Sequence, residues 1–206
     1  MIAVIDYGAG NLGSVVNAIS KLGYQPKVTD KSADVLNAKA VVLPGVGAAG
    51  DTVDRLETLG MSDVIRQLIN ERRPLFAICV GLQVLLSNTE EGGGNKCLDI
   101  IQGKVKRLPQ QLKIPHMGWN QVRQRKDHPI FEGIPSETNF YFVHSYYADP
   151  DDKSLISGTT SYGIEFCSMI IKDNLIATQF HPEKSGNYGL RMYSNFLNMA
   201  LNKGQT

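Results

Sequence analysis

Two rhythms of apolar positions alternate along the first hundred residues. Ile2–Ile5, Ala40–Leu43 and Leu75–Ile78 are short and wholly apolar, with a further strand predicted at residues 28–29. Runs of this kind suit strands buried on both faces. Between them, Leu12, Val15, Val16, Ile19 and Leu22 recur at helical spacing, with Gly23 placed to cap the C-terminus. Val64, Ile65, Leu68 and Ile69 mark another buried helix face, which stops before Pro74. Strands separated by amphipathic helices predict an α/β fold: an open, mostly parallel sheet with helices on both faces.

From about Lys104 the pattern changes. Residues 140–143, 169–171 and 176–178 are short β-like segments broken by turn residues, which adds antiparallel β elements in the second half. Residues 189–202 form an apolar-faced helix, and residues 90–96, with three glycines, form an exposed loop. No linker or repeat divides the chain, so residues 1–206 are read as a single domain.

Composition narrows the function classes. Lys plus Arg number 21 and Asp plus Glu 20, so no charge excess draws the chain to nucleic acid or anionic lipid. No apolar run approaches a membrane span and no basic leader opens the sequence, which makes a cytoplasmic protein the expectation. The three cysteines, Cys79, Cys97 and Cys167, form neither a CxxC pair nor an even disulfide set.

Gly8-Ala9-Gly10-Asn11-Leu12-Gly13 follows the first strand, opens a helix, and has Asp30 roughly 20 residues on, the dinucleotide-binding pattern. Asp6 and Tyr7 intervene before the first glycine, and the chain is short for a dehydrogenase. A tight strand-to-helix turn needs the same glycines. We adopt the turn reading and keep a nucleotide-binding module as the alternative.

Cys79 carries more chemistry. It ends an apolar strand and is followed by Val80-Gly81 and a helix-compatible stretch, so Ala77-x-Cys79-x-Gly81 is the cysteine counterpart of a nucleophile elbow. The free N–H groups at such a corner favour a thiolate and offer Val80 N–H to an oxyanion. Cys97 and Cys167 lack a corner and are read as inert. Of the four histidines, His181 is followed at His181-Pro182-Glu183 by a carboxylate two positions on. In an extended segment the two side chains share a face, about 6.6 Å apart along the backbone, so Glu183 orients the ring and His181 serves Cys79 as base. His128 reads as a solvated surface residue, and His116 and His144 as structural or binding residues. Pro44-Gly45-Val46-Gly47 ends the third strand at the same sheet edge, where a backbone N–H can turn toward an oxyanion.

The segments Pro44-Gly45-Val46-Gly47, Ile78-Cys79-Val80-Gly81-Leu82-Gln83 and His181-Pro182-Glu183 resemble, in that order and spacing, the class I (triad) glutamine amidotransferases. The resemblance implies a flavodoxin-like sheet, L-glutamine as substrate, and no cofactor or metal. It implies catalysis by Cys79, His181 and Glu183, an oxyanion hole of Val46 and Val80 N–H groups with the Val46 peptide rearranging, and Gly47, Gln83 and Ser145 as substrate contacts. Residues 6–11, 115–120 and 141–146 resemble the branch whose glutaminase subunit feeds ammonia to a (β/α)8-barrel synthase subunit in a heterodimer. That branch implies Asn11, Trp119, Tyr141 and Lys184 at the partner interface and a low basal activity raised by the partner. The glutaminase of a different synthase is the alternative within the family. Ala77, Leu82 and Ala49 depart from the residues most common at their positions, and none belongs to the proposed proton relay.

Overall fold

The computed structural model describes residues 1–8 and 10–201. Ala9 of the glycine turn and Asn202, the predicted end of the last helix, lie outside the described residues. The first half runs β1 (Ile2–Ile5), α1 (Leu12–Lys21), β2 (Lys27–Thr29), α2 (Ser32–Leu36), β3 (Ala40–Leu43), α3 (Ala49–Thr58), α4 (Met61–Asn70), β4 (Leu75–Ile78) and α5 (Val80–Gln83). Then come β5 (Asn88–Thr89), β6 (Asn95–Lys96), β7 (Gly103–Arg107), β8 (His116–Gln124) and β9 (Thr138–His144). The chain continues through β10 (Tyr146–Pro150), β11 (Ile156–Tyr162), β12 (Ile164–Lys172), β13 (Leu175–Thr178) and α6 (Gly186–Leu201).

The predicted strands of the first half align in parallel, β2-β1-β3-β4. Every residue of β1, β3 and β4 is buried, so both faces of this part of the sheet are covered. Phe76 of β4 packs against Tyr193 and Phe196 of α6, with ring centroids 5.3 and 5.2 Å away. The antiparallel strands of the second half extend the same sheet through β13-β12-β10-β7.

One strand of that half, β13, pairs in parallel with the core. β12 and β13 form a hairpin whose two-residue turn uses Asp173 at φ 51°, and the hairpin delivers β13 alongside β4. In that register Ala177 faces Ala77 and Thr178 faces Ile78. The residues following the two strands therefore meet at one sheet edge. Residues 90–96, predicted as a plain loop, include a 3-10 turn and β6, which pairs with β5. The final helix opens at Gly186, earlier than its apolar pattern indicates.

The described residues of the glycine segment lead from β1 into α1. Asn11 occupies the left-handed region at φ 75°, which asparagine tolerates better than most residues. Gly8 has φ +81°, and a Cβ there would lie 2.8 Å from the Arg55 guanidinium. The surface hollow at Asp30, Gly8 and Arg55 is separate from the Cys79 cavity.

Candidate active site

Cys79 sits at the end of β4 with φ 53° and ψ −107°, a conformation that costs a non-glycine residue free energy and lifts its side chain off the strand. Its N–H donates to Thr178 O at 2.6 Å, tying the corner to β13. The helix that follows is a single turn, Val80–Gln83, shorter than the apolar pattern suggests. Its contribution near the sulfur is thus a few free amides rather than a long helix dipole. The corner also rests on the chain after β3. A Cβ on Gly45 would lie 2.2 Å from Gly81 N, and one on Gly81 would lie 2.6 Å from Leu43 O. Gly45 and Gly81 are there because two backbones touch. Gly47, with open space around it but φ +102°, is there for its dihedral.

His181 follows β13 by three residues and is fully buried. Its Nδ1 lies 2.7 Å from Glu183 Oε1, as the sequence spacing suggested, but by a different route. Pro182–Lys184 is a 3-10 turn, so the carboxylate curls back onto the ring instead of sharing a strand face with it. The same oxygen accepts a 2.6 Å bond from Asn11 Nδ2, 172 positions away in sequence. Glu183 Oε2 and His181 Nε2 are buried without an aligned hydrogen bond in the described structure. Burial disfavours the charged ring, yet the neighbouring Cys79 sulfur and then Glu183 more than compensate, holding the His181 pKa well above its ordinary value. The arrangement favours a protonated His181 ring beside the Cys79 sulfur.

A cavity of about 300 Å³ opens at the sulfur, lined by the expected residues Val46, Gly47, Val80, Gln83 and Ser145 together with His181. Gln83 is oriented by the protein: its Nε2 donates to Tyr146 O at 2.9 Å and to Gln179 Oε1 at 3.1 Å. The Val46 backbone engages the Tyr7 hydroxyl, whose proton goes to Pro44 O at 2.9 Å. Desolvation by burial is the main cause that pushes the Tyr7 pKa up to about 12, so the phenol stays protonated.

Two groups near the nucleophile were not legible in the sequence, one lining the cavity and one buried behind the sulfur. Glu91, part of the predicted loop, lines it and anchors itself by accepting from Ala49 N at 2.7 Å. A carboxylate directly before three consecutive glycines was the available signal. Gln179, fully buried, donates from Nε2 to Cys79 Sγ at 3.5 Å. His144 also lines the cavity, and it is a structural histidine in a directed chain. Its Nδ1 donates to Tyr146 O, its Nε2 accepts from His116 Nδ1, and His116 Nε2 accepts from Asn120 Nδ2. Burial lowers the His116 pKa to about 4 and that of His144 to about 3, so both rings are neutral. His128, expected at the solvated surface, is partly exposed, and its Nδ1 caps the following 3-10 turn by accepting from Ile130 N. Burial raises the Cys97 and Cys167 pKa values to about 11 and about 12, as inert thiols require. Among the described residues no cluster of His, Cys, Asp or Glu is arranged to hold a metal ion, and no helix is long and apolar enough to cross a membrane.

Beyond the cavity, Trp119 and Met117 are exposed on β8 by 57% and 62%. Trp119 is the cross-strand partner of Tyr141, and Lys184 Nζ lies 6.0 Å from the Tyr141 ring centroid. Three of the four residues expected at a partner interface are therefore adjacent. Asn11 turns its amide inward to Glu183, the neighbour of Lys184.

Residues 3–200 match the sequence family of class-I glutamine amidotransferases. The chain belongs to that family. Among its relatives, the imidazole glycerol phosphate synthase subunit HisH of Dehalococcoides mccartyi strain CBDB1 is 60% identical over 201 residues, covering 98% of each chain. The subunit of the same name from Chloroflexus aurantiacus is 52% identical, over 96% of this chain and 95% of its own. A crystal structure of a glutamine amidotransferase superposes with a TM-score of 0.76 at 18% identity, covering 97% of this chain and 99% of that one, which shows a shared fold.

Proposed function

We propose that this protein is the glutaminase subunit of an imidazole glycerol phosphate synthase, hydrolysing L-glutamine and passing ammonia to a (β/α)8-barrel synthase subunit in histidine biosynthesis. The observation that carries the chemistry is the juxtaposition at one cavity of Cys79, at a strained elbow, with the His181–Glu183 pair. The names of the relatives and the near-complete coverage of both chains support the pathway. The whole chain acts as one amidotransferase domain, located in the cytoplasm.

In this reading Cys79 Sγ attacks the carboxamide carbon, and the oxyanion takes the Val80 N–H. Val46 N–H joins it once that peptide leaves Tyr7 and turns toward the cavity. The imidazolium of His181 gives its Nε2 proton to the departing nitrogen, releasing ammonia and a thioester. His181, again a base, takes a proton from water, which attacks the thioester carbon, and the C–S bond breaks to give glutamate. Glu183 holds the ring orientation and stabilises its charge. Gly47, Gln83 and Ser145 contact the glutamine, and the Glu91 carboxylate suits its α-ammonium. No cofactor is required.

The exposed Trp119 and Met117, with the half-buried Tyr141 and with Lys184, have the aromatic and cationic character of an interface anchor. We assign this face, with Asn11 at its edge, to the synthase subunit. Tyr141 O accepts from His181 N and Tyr141 N accepts no proton but donates to Ser185 Oγ, whose own proton goes to His181 O. The face and the base thus share backbone hydrogen bonds.

The test is glutamine hydrolysis with and without the barrel subunit and its ligand. Turnover should be low alone and rise on assembly. Cys79→Ala should abolish glutamine-dependent synthesis while sparing ammonia-dependent synthesis. Retention of glutamine-dependent synthesis by Cys79→Ala refutes the proposal.

A further inference from the structure

The Gln179 carboxamide is placed beside the nucleophile by the same strand pairing that delivers His181. Thr178 faces Ile78 in the β13–β4 register, so Gln179 comes next to Cys79. Its Nε2 lies 3.5 Å from Cys79 Sγ and its side chain is sealed from solvent. An amide placed the other way round would present an oxygen to the sulfur, so the orientation decides the chemistry.

That orientation follows from a backbone carbonyl. Tyr146 O can only accept, so the Gln83 atom 2.9 Å from it is the nitrogen. The same Gln83 nitrogen lies 3.1 Å from the Gln179 side chain, which must therefore offer its oxygen there. The Gln179 nitrogen is left facing the sulfur. His144 Nδ1 donates to Tyr146 O as well, so the anchoring carbonyl is itself held. Besides His181, the sulfur has Val143 O at 3.9 Å, an acceptor that suits only the protonated thiol.

We propose that Gln179 is a further catalytic residue, donating its Nε2–H to the Cys79 thiolate and to the sulfur as it recovers its electron pair when the thioester breaks. The bond is strongest when the sulfur carries charge and weakens in the neutral thioester. Gln179 therefore favours both the resting thiolate and its departure after water has attacked. Through Gln83, a residue lining the cavity, the sulfur's donor is coupled to the substrate site. This inference rests on the proposed glutaminase reading, in which Cys79 is the nucleophile.

Gln179→Met keeps length and bulk without a donor, and Gln179→Glu puts an oxygen where the donor was. In the full-length protein, the pH midpoint of Cys79 alkylation by iodoacetamide, located by mass spectrometry, should rise by about one unit in Gln179→Met and further in Gln179→Glu. In the assembled complex kcat should fall about tenfold and about a hundredfold respectively, with KM changing less than threefold. A folded Gln179→Met protein with an unchanged alkylation midpoint overturns the role. Because the residue is buried, wild-type protein gives a second measurement: the 15N side-chain amide signals of Gln179 should shift in step with the Cys79 alkylation midpoint. Signals indifferent to the state of Cys79 would also overturn it. Failure of wild-type Cys79 to react with an electrophilic glutamine analogue would instead strike at the glutaminase reading itself.

Discussion

Replacing Gly45 with alanine would set a methyl carbon 2.2 Å from Gly81 N, 2.6 Å from Ile78 O and 2.9 Å from Val80 C, all of them backbone atoms. Ordinary contact begins near 3.4 Å, so the loop after β3 and the elbow after β4 must separate by about 1.2 Å at the tightest point. No flexible side chain is available to yield. Overpacking of this kind costs about 1–3 kcal/mol, and a backbone-to-backbone clash belongs at the upper end. For a chain of this size that lowers Tm by about 6–12 °C. The activity loss should be larger than the stability loss implies, because the displaced atoms carry Val80 N–H and Cys79 Sγ, and a shift of about 1 Å in reacting groups costs about a hundredfold in rate. The assay is steady-state glutamine hydrolysis by the assembled complex beside a thermal melt. Gly13→Ala serves as control, since a Cβ at that helical position meets nothing within 4 Å and alanine there should stabilise by about 0.4–1 kcal/mol. If Gly45→Ala keeps kcat within threefold and its Tm unchanged, the claim that touching backbones hold the elbow in place is wrong.

Three further outcomes follow from the same geometry. Tyr7→Phe removes the hydroxyl that holds Pro44 O and the Val46 backbone, so hydrolysis by the chain without its partner should rise about fivefold, the population shift that one net hydrogen bond commands; a decrease would show that Tyr7 supports the productive state instead. Asn11→Gly retains access to the left-handed backbone but deletes the donor to Glu183, and kcat should drop about tenfold or more; unchanged kcat would make that bond incidental to catalysis. His116 and His144 are held neutral, so below about pH 6.5 the unfolded chain binds protons that the folded chain refuses, and stability should decline as the pH falls toward about 4. Each ring contributes at most about 1.4 kcal/mol per pH unit. Urea titrations between pH 7 and pH 4.5 would measure the slope, and a His116→Asn, His144→Asn double variant with the same slope would refute the assignment.

Local pattern alone was enough to read the β1, β3 and β4 strands, the buried faces of α1 and α4, the corner at Cys79 and the pairing of His181 with Glu183. Each depends on residues within a few positions of one another, where hydrophobic period and turn chemistry act directly. The order and spacing of the three motif segments also sufficed to point to the amidotransferase family. Tertiary structure alone settled that β13 enters the parallel sheet beside β4, bringing His181 and Gln179 to a cysteine a hundred residues earlier. It replaced the expected extended His-Pro-Glu segment with a 3-10 turn, aimed Asn11 at Glu183, and brought Glu91 from a glycine-rich stretch into the cavity. Those contacts follow from strand order and register, which arise when the whole sheet buries its faces. A buried glutamine or a loop glutamate has no periodic signature, and its role exists only once another strand supplies its partner.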